Sequence, residues 1–262
     1  MCAQITADLH LHTTASDGQL TIDRLPAAAT KADVEWIAVT DHDLIHPELT
    51  APVTVHDGVN IIRGIELRVQ TDTQRLDLLG YGVDQTNDLT AELNRLQVNR
   101  INRAQEIIDR VESHVGVDID LDPHSGVGRP HIARAIDDSE ASYDYKQAFT
   151  ELIGHDRLCY VPREITSVDD GIALLRDACR IIGLAHPLRY DDPEAALELT
   201  TELDAVERYY PYGREVDTTP VDRAIERHNL LVTGGSDAHD EALGKAGLSQ
   251  SQFDEFYAQF EA

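Results

Sequence analysis

The chain has 262 residues with 42% hydrophobic content, enough for one large α/β domain or two small ones with a buried core. Its 48 acidic and 22 basic residues give a formal charge of -26, which argues against a basic groove that holds long nucleic acid. No apolar run approaches the length needed to span a bilayer, and no leader pattern is evident, so we expect a soluble, cytoplasmic protein with no membrane partner.

The excess of carboxylates favours the hypothesis of a halophilic host. A net charge of this size repels itself at low ionic strength, whereas the Debye length falls to about 3 Å in 1 M salt. An ordinary acidic enzyme of the cytosol is the alternative. The dependence of stability on salt distinguishes the two.

The elements predicted for the first part of the chain begin with a strand over residues 4–7, which leads into Asp8-Leu9-His10-Leu11-His12. Alternation along a strand puts His10 and His12 on one face, a pattern that indicates a metal site but is weak when taken alone. The sequence then predicts a helix over 20–32, strands over 36–40, 59–65 and 76–83, and a hairpin across 71–73. The strand over 36–40 leads into His42, and the strand over 59–65 leads into Glu66.

The middle of the chain predicts a helical insertion. Apolar residues recur at helical spacing from Asp88 to about His114, and Pro130 can open a further helix through Ile136, since proline is accepted in the first turn. Residues 143–153 also have a helical pattern. This stretch is long for a simple connection between a strand and a helix. We therefore expect one domain over 1–262 with a helical lobe inserted at about 85–162.

The alternation of strand and helix resumes after the insertion. The predicted elements are a helix over 168–179, a strand over 181–185, a helix over 194–203, a strand over 205–209, a helix over 221–228 and a strand over 230–235. Repeated alternation without a low-complexity linker predicts an α/β fold, either a parallel barrel or an open parallel sheet.

Side chains with metal-binding chemistry follow the predicted strands. The carboxyl ends of barrel strands surround one cavity, so these side chains should meet there. Any one of them alone could instead cap a helix or a turn. They are His10, His12, Asp17, His42, Glu66, His186, Asp237 and His239, with His131 at the start of a predicted helix.

This set is too large for a single ion. A tetrahedral ion takes three or four protein ligands, whereas six histidines and three carboxylates suit two or three divalent ions that share a bridging carboxylate. Mixed imidazole and carboxylate ligands favour manganese, zinc or iron over magnesium or calcium. The ligand types do not decide among those three metals.

The motifs and their order resemble the PHP (polymerase and histidinol phosphatase) family. The similarity covers nearly the whole chain and fills all nine ligand positions of the family pattern. The resemblance implies a distorted seven-stranded (β/α) barrel with three metal ions, and metal-dependent hydrolysis of phosphate esters. It rests on Asp8-Leu9-His10-Leu11-His12 with Asp17, Thr40-Asp41-His42-Asp43, Gly64-Ile65-Glu66, Gly128-Arg129-Pro130-His131, Ala185-His186-Pro187 and Gly235-Ser236-Asp237-Ala238-His239.

The same resemblance implies how the nine side chains divide among the ions, with Glu66 as the bridge. Glu66, Asp237 and His239 are the ligands expected to act in catalysis. Clustered divalent ions lower the pKa of a shared water and neutralise phosphate oxygens, so no protein nucleophile is needed. The three implied ligand sets are His10, His12, Glu66 and Asp237; Glu66, His131 and His186; and Asp17, His42 and His239.

A phosphate also needs a clamp, for which the planar fork of arginine is well suited. Arg129 and Arg134 flank His131, and Arg189 follows His186-Pro187, so these three arginines are the candidates. The alternative for each is a surface arginine paired with one of the many carboxylates.

The helical insertion is similar to that of the stand-alone phosphoesterases of the family, some of which remove the 3′-phosphate from nucleoside 3′,5′-bisphosphates. We therefore expect a small phosphorylated nucleotide as the substrate. The alternatives are a histidinol-phosphate phosphatase, a 5′-3′ exoribonuclease on short RNA, and a non-catalytic regulator that binds metal or nucleotide. Where that group often has a histidine before Leu-Gly-Tyr, this chain has Asp77, a departure that bears on the substrate and not on the nine ligands.

Overall fold

The computed structural model describes residues 4–261, and its internal contacts divide the chain into two compact units. Met1–Thr90 and Ile165–Ala262 form the first, here called the barrel unit. Ala91–Glu164 form the second, here called the helical unit.

The described part of the barrel unit contains nine strands. They are β1 (Ala7–Leu11), β2 (Trp36–Val39), β3 (Val53–His56), β4 (Val59–Gln70), β5 (Arg75–Tyr81), β6 (Thr166–Ser167), β7 (Ile181–Leu184), β8 (Ala205–Tyr209) and β9 (Leu231–Gly234). Seven of them form a nearly closed barrel in the order β1-β2-β4-β5-β7-β8-β9, and β3 and β6 pair with β4 outside this path. Bridges from Leu11 to Ala238 and from Ala7 to Leu248 join β1 to the segment after β9.

The strand directions explain why the barrel is distorted. β1, β2 and the first half of β4 are parallel neighbours, as are β7, β8 and β9. β5 is antiparallel to both β4 and β7, because it returns from β4 through the predicted hairpin. The expected distorted seven-stranded α/β barrel is confirmed. The wholly parallel sheet that the alternation indicated is wrong at β5.

Two strands extend past their predicted ends, so that two candidate ligands lie within strands instead of after them. β1 contains His10 instead of ending before it, and all five of its residues are buried. β4 continues past the predicted end because its second half pairs with β5, so Glu66 lies within the strand. β3 was not predicted, although Asp57-Gly58, which turns it into β4, is a hairpin signal, and both residues have positive φ.

Proline in the first turn begins several of the helices, as its fixed φ favours. It does so in α1, α3, α6 and α7, and α1 therefore starts later than the predicted helix over 20–32. α8 was not predicted. The helices are α1 (Leu25–Lys31), α2 (Asn87–Val115), α3 (Arg129–Asp137), α4 (Tyr145–Gln147), α5 (Val168–Ala178), α6 (Pro193–Glu198), α7 (Thr219–His228) and α8 (Gln250–Phe260), with 3-10 turns at Ile22–Arg24, Pro187–Arg189 and Leu199–Glu202 and a π-helical segment at Ala148–Ile153.

Each unit has its own apolar core. In the barrel unit, Phe253, Phe256 and Phe260 of α8 pack with residues of six barrel strands. Full burial of one such side chain contributes about 1.5–3 kcal/mol to folding. In the helical unit, Val111 of α2 packs in the same core as Ile132 of α3, so this unit does not depend on the barrel for its interior. Within residues 4–261, no helix combines the length and apolar character needed to cross a membrane.

Candidate metal centre

Eight of the nine candidate ligands lie in the barrel unit, and their side chains converge there. They form three overlapping groups, and within each group the donor atoms all lie within 4.8 Å of one another. His10 and His12 each belong to two groups, so the eight side chains form one continuous set, here called the ligand cluster. The groups are His12, Asp17, His42 and His239; His10, His12 and Asp237; and His10, Glu66 and His186.

Glu66 lies at the centre of the ligand cluster and is almost fully buried. Its Oε1 is 3.0 Å from Nε2 of His186 and 3.5 Å from Nε2 of His10. Its Oε2 is 2.7 Å from Nδ1 of His42 and 3.4 Å from Nε2 of His12. Each carboxylate oxygen thus faces two imidazoles, which is the arrangement that a bridging ligand requires.

Asp237 divides its two oxygens between the ligand cluster and its surroundings. Oδ1 lies 3.1 Å from Nε2 of His12 and 3.5 Å from Nε2 of His10. Oδ2 accepts hydrogen bonds from Nη1 of Arg189 at 3.0 Å and from the hydroxyl of Tyr210 at 2.8 Å. These two donors hold the carboxylate in place while Oδ1 faces the histidines. Of the three arginines predicted to clamp a phosphate, Arg189 lies in the barrel unit and contacts the ligand cluster through Asp237.

Asp17, His42 and His239 lie together at another side of the ligand cluster. Oδ1 of Asp17 is 3.3 Å from Nε2 of His239 and 3.9 Å from Nε2 of His42. Nδ1 of His239 lies 3.0 Å from the carbonyl oxygen of Asp237. A carbonyl can only accept, so Nδ1 carries a hydrogen, and Nε2, which faces Asp17, is the nitrogen left to bind an ion. This tautomer suits a metal ligand.

The backbone of the ligand cluster is strained at two ligands. His186 has φ 28° and Asp237 has φ 47°, and neither is glycine. Such conformations cost of order 1–3 kcal/mol each and persist where the surrounding structure holds them. Because both residues are candidate ligands, we infer that the contacts of their side chains offset the free-energy cost of the strained backbone.

Two carboxylates of the sequence motifs bind the backbone instead of the cluster. Asp8 accepts hydrogen bonds from the backbone N–H of Ser236 at 2.8 Å and from its hydroxyl at 2.5 Å. Asp41 accepts from the N–H and the hydroxyl of Thr13, both at 2.7 Å, and from the hydroxyl of Ser16 at 2.5 Å. Asp8 and Asp41 therefore brace the loops that follow β9 and β1, and those loops carry ligands.

The carboxylates of the ligand cluster keep their charge despite burial. Burial opposes ionisation of Glu66, yet the neighbouring His42 and His10 hold the pKa of that carboxyl well below its usual range. Burial likewise opposes ionisation of Asp237, and His10 and His12 hold its pKa well below the usual range. Buried negative charge is costly unless cations compensate it. Protonated histidines compensate it here, and divalent ions bound at the ligand cluster would take the place of those protons.

Two carboxylate oxygens of the ligand cluster lack the hydrogen-bond partner that an ordinary polar network would supply. Oε2 of Glu66 and Oδ1 of Asp17 are buried and accept no hydrogen bond from the described residues, although imidazole nitrogens lie 2.7 and 3.3 Å away. Nε2 of His10 and Nε2 of His12 are 3.3 Å apart. Nitrogen and oxygen lone pairs that converge in this way fit divalent ions shared between them.

Asp77 stands where the resembling group often has a histidine, and an arginine neutralises it. Arg68 donates to the two carboxylate oxygens of Asp77 at 2.6 and 2.7 Å. Asp77 Oδ2 lies 3.8 Å from Nε2 of His186, which is too far for a direct hydrogen bond. The ion pair satisfies Asp77, so this departure leaves the ligand cluster unchanged.

Three predicted site residues, His131, Arg129 and Arg134, belong to the helical unit. Nδ1 of His131 accepts a hydrogen bond at 3.1 Å from a backbone N–H at the start of α3. The guanidinium of Arg129 lies 5.9 Å from the ring centres of both Phe149 and Tyr160. Arg134 is exposed, and with His131 it lines a cavity of about 810 Å³. Their roles stay predictions.

Two polar residues next to the ligand cluster were not predicted. Tyr210, directly after β8, hydrogen-bonds Asp237, and Glu207, within β8, hydrogen-bonds His10. The available signal was a carboxylate in the middle of a predicted strand, next to Arg208. A search limited to residues that follow predicted strands does not include this carboxylate.

The sequence matches the family model described as PHP domain over residues 8–154. It is 28% identical over 247 residues to the 5′-3′ exoribonuclease Rnm of Escherichia coli, covering 88% of this chain and 84% of that protein. It is 27% identical over 263 residues to the 3′,5′-nucleoside bisphosphate phosphatase of Chromobacterium violaceum, covering 92% and 88%. It is 29% identical over 255 residues to the phosphoribosyl 1,2-cyclic phosphate 1,2-diphosphodiesterase of Eggerthella lenta, covering 88% and 93%.

A solved structure from Bifidobacterium adolescentis has the same fold. It superposes with a TM-score of 0.78 at 21% identity, and the match covers 97% of this chain and 96% of that one.

Proposed function

This chain belongs to the PHP domain family and is a metal-dependent phosphoesterase, and we propose from that premise that it removes a phosphate from a small nucleotide such as a nucleoside 3′,5′-bisphosphate. The observation that carries the proposal is the contact of Arg189 with the ligand cluster, which pairs a phosphate-binding cation with a site for metal ions. The relative from Chromobacterium violaceum, named a 3′,5′-nucleoside bisphosphate phosphatase, supports the same substrate class.

The eight side chains of the ligand cluster, together with His131, would hold two or three ions of manganese, zinc or iron. When bound, the ions supply activation of water and neutralise charge on the phosphate. Glu66 would serve more than one ligand set, because its oxygens face imidazoles that the resemblance assigns to different ions. Asp237 and His239 are the other ligands that we assign to catalysis, and a hydrogen bond from His239 to the Asp237 carbonyl joins them.

Arg189 is the side chain that we assign to binding the phosphate. Its hydrogen bonds to Asp237 and Tyr210 both leave from Nη1, and the side chain is 51% exposed. The N–H groups of Nε and Nη2 therefore remain for a phosphate. Arg129 and Arg134 of the helical unit stay as further candidates.

Two tyrosines beside Arg189 favour a nucleotide over an aliphatic phosphate ester. The rings of Tyr210 and Tyr212 are half-buried, with centres 4.8 Å apart, and the Arg189 guanidinium lies 5.6 Å from the Tyr210 ring centre. Aromatic faces next to a phosphate-binding arginine can stack on a base. The acidic surface argues against tight binding of long RNA.

We expect Arg189→Ala to lower kcat/KM for the bisphosphate by about 10²-fold, because one preorganised donor to the developing phosphate charge is lost. Arg189→Lys should recover only part of this loss, since lysine keeps the charge without the fork. Arg214→Ala is the matched control, because Arg214 donates to the Leu188 carbonyl on the same loop and touches no ligand. Steady-state kinetics with saturating Mn²⁺ measure all three. Equal losses for Arg189→Ala and Arg214→Ala would contradict the clamp.

A substrate panel tests the proposed function. Purified protein is assayed with manganese, zinc and iron in turn against a nucleoside 3′,5′-bisphosphate, histidinol phosphate, a short 5′-phosphorylated RNA and a cyclic ribose phosphodiester. We expect the highest kcat/KM for the bisphosphate. A higher value for RNA or for the cyclic diester would replace the proposed substrate. Absence of turnover with every metal would favour the non-catalytic regulator.

We propose in addition that the net charge of -26 reflects adaptation to high salt. The free energy of unfolding should rise by about 2 kcal/mol or more between 0.1 M and 2 M NaCl, a change in Tm of about 4–8 °C, because salt screens the repulsion. Chemical denaturation at fixed metal content measures it. A neutral osmolyte at matched water activity controls for solute exclusion. Equal stability at the two salt concentrations would rule out the halophilic origin.

A further inference from the structure

Glu207 is a fully buried carboxylate inside the barrel. Its neighbour on β8, Arg208, points the other way, since it pairs with Asp222 of α7. The register of β8 against β9 shifts between Glu207 and Tyr209, the kind of irregularity that re-aims a side chain next to a site. β8 and β5 are the two barrel strands to which the sequence assigned no ligand.

One oxygen of Glu207 fixes the tautomer of His10. Oε1 lies 3.0 Å from Nδ1 of His10, and a carboxylate can only accept, so Nδ1 carries the hydrogen. Nε2 is then the ring nitrogen left to bind an ion, and it faces the ligand cluster, 3.5 Å from an oxygen of Glu66 and 3.5 Å from an oxygen of Asp237. A carboxylate behind a histidine orients the ring and raises its basicity as a ligand.

The other oxygen of Glu207 holds the backbone of a second ligand. The backbone N–H of His186 donates to Oε2 at 2.7 Å. His186 has φ 28° and ψ 56°, a strained conformation, and Pro187 after it restricts its backbone further. This backbone brings Nε2 of His186 to 3.0 Å from Oε1 of Glu66.

We propose that Glu207 is a positioning residue of the ligand cluster, since a single carboxylate sets the ring of His10 and the backbone of His186. These two histidines belong to different implied ligand sets, so loss of Glu207 should weaken two ions together. The inference rests on the proposed assignment of both histidines as metal ligands. It does not depend on which phosphate ester is the substrate.

Glu207→Gln separates the two contacts. Glutamine has one accepting oxygen and one NH₂ group, so it can serve the ring of His10 or the N–H of His186, but not both. Asp204→Asn is the matched control, because Asp204 precedes the same strand and its carboxylate accepts from the N–H of Ile182 on β7 without touching a ligand.

The test measures ion binding and the His10 tautomer in addition to activity. In the wild type and the Asp204→Asn variant, long-range ¹⁵N–¹H spectra of the Zn²⁺-loaded protein should show His10 with its hydrogen on Nδ1. In Glu207→Gln this signal should be lost or mixed, and the Kd for Mn²⁺ should rise about 10- to 100-fold in calorimetric titrations. A purely structural role would leave the tautomer unchanged.

Glu207→Asp provides a second variant that keeps the charge and both acceptors on a shorter side chain. We expect an intermediate rise in Kd, and this variant carries the test if Glu207→Gln loses its far-ultraviolet circular dichroism. Unchanged Mn²⁺ affinity and an unchanged His10 tautomer in a folded variant would overturn the proposal. Tight ion binding by the wild type without turnover of a bisphosphate would instead contradict the proposed substrate alone.

Discussion

Glu66→Gln is expected to lower kcat/KM by about 10³-fold or more, beyond the roughly 10- to 100-fold that loss of an outer partner of a ligand causes. The reason is that both oxygens of Glu66 are in use. Oε1 faces His10 and His186, while Oε2 faces His12 and His42. Glutamine keeps one oxygen and puts an NH₂ group, which cannot bind an ion, among two imidazoles. At least one ion should be lost.

Ion counting by mass spectrometry after dialysis, together with steady-state kinetics, checks this expectation. Asp8→Asn is the control, because Asp8 is equally buried but accepts hydrogen bonds from Ser236 and from the backbone of Gly244 and His10 instead of contacting imidazole rings. It should lower the free energy of unfolding by about 1–3 kcal/mol and keep the ion count. A Glu66→Gln protein with its full ion complement and near wild-type turnover would remove Glu66 from the bridging position.

Residue type and order were enough to predict which side chains converge in the barrel unit. The candidate ligands follow short apolar runs, and a barrel brings such positions together. Asp8 and Asp41 lie in the same motifs and have the same chemistry as the ligands. Only the loop geometry decides that they bind backbone N–H and hydroxyl groups, so the sequence could not distinguish a bracing carboxylate from a ligand.

The antiparallel direction of β5 could have been predicted from the sequence. A hairpin across 71–73 was predicted, and a connection that short forces the strands to be antiparallel, which a wholly parallel sheet cannot accommodate. The location of Glu66 within β4, in contrast, depends on pairing with β5. The local sequence pattern does not indicate where a strand changes its partner.

Glu207 is a site residue within a strand, so a prediction based on strand ends does not find it. A charged residue in the middle of a five-residue strand is read as solvent-facing unless the curvature of the sheet is known. Here the shifted register and the outward pairing of Arg208 turn the carboxylate inward. Arg189 was predicted from its place after His186-Pro187, but its contact with Asp237 crosses from the loop after β7 to the loop after β9.

His131→Ala is expected to lose most of the activity while the barrel stays folded, with kcat/KM lower by about 10²- to 10³-fold. The family resemblance assigns His131 to the second ion together with Glu66 and His186. In the helical unit, Nδ1 of His131 accepts the N–H of Gly128, so the hydrogen of the neutral ring is on Nε2. Binding an ion therefore requires the ring to exchange the Gly128 contact for the ion at Nδ1, or to move its hydrogen to Nδ1 and break the same contact.

His124→Ala is the matched control for this prediction. His124 is exposed, and its ring lies edge-on to that of His131 with centres 5.5 Å apart, so the two variants remove the same group from neighbouring positions. Turnover of His124→Ala should stay within about two-fold of the wild type, as expected for a surface change. Ion counting should show one ion lost in His131→Ala, with circular dichroism unchanged because Phe253, Phe256 and Phe260 keep the barrel core. Near wild-type turnover by His131→Ala would mean that Glu66 and His186 hold the second ion with a different partner.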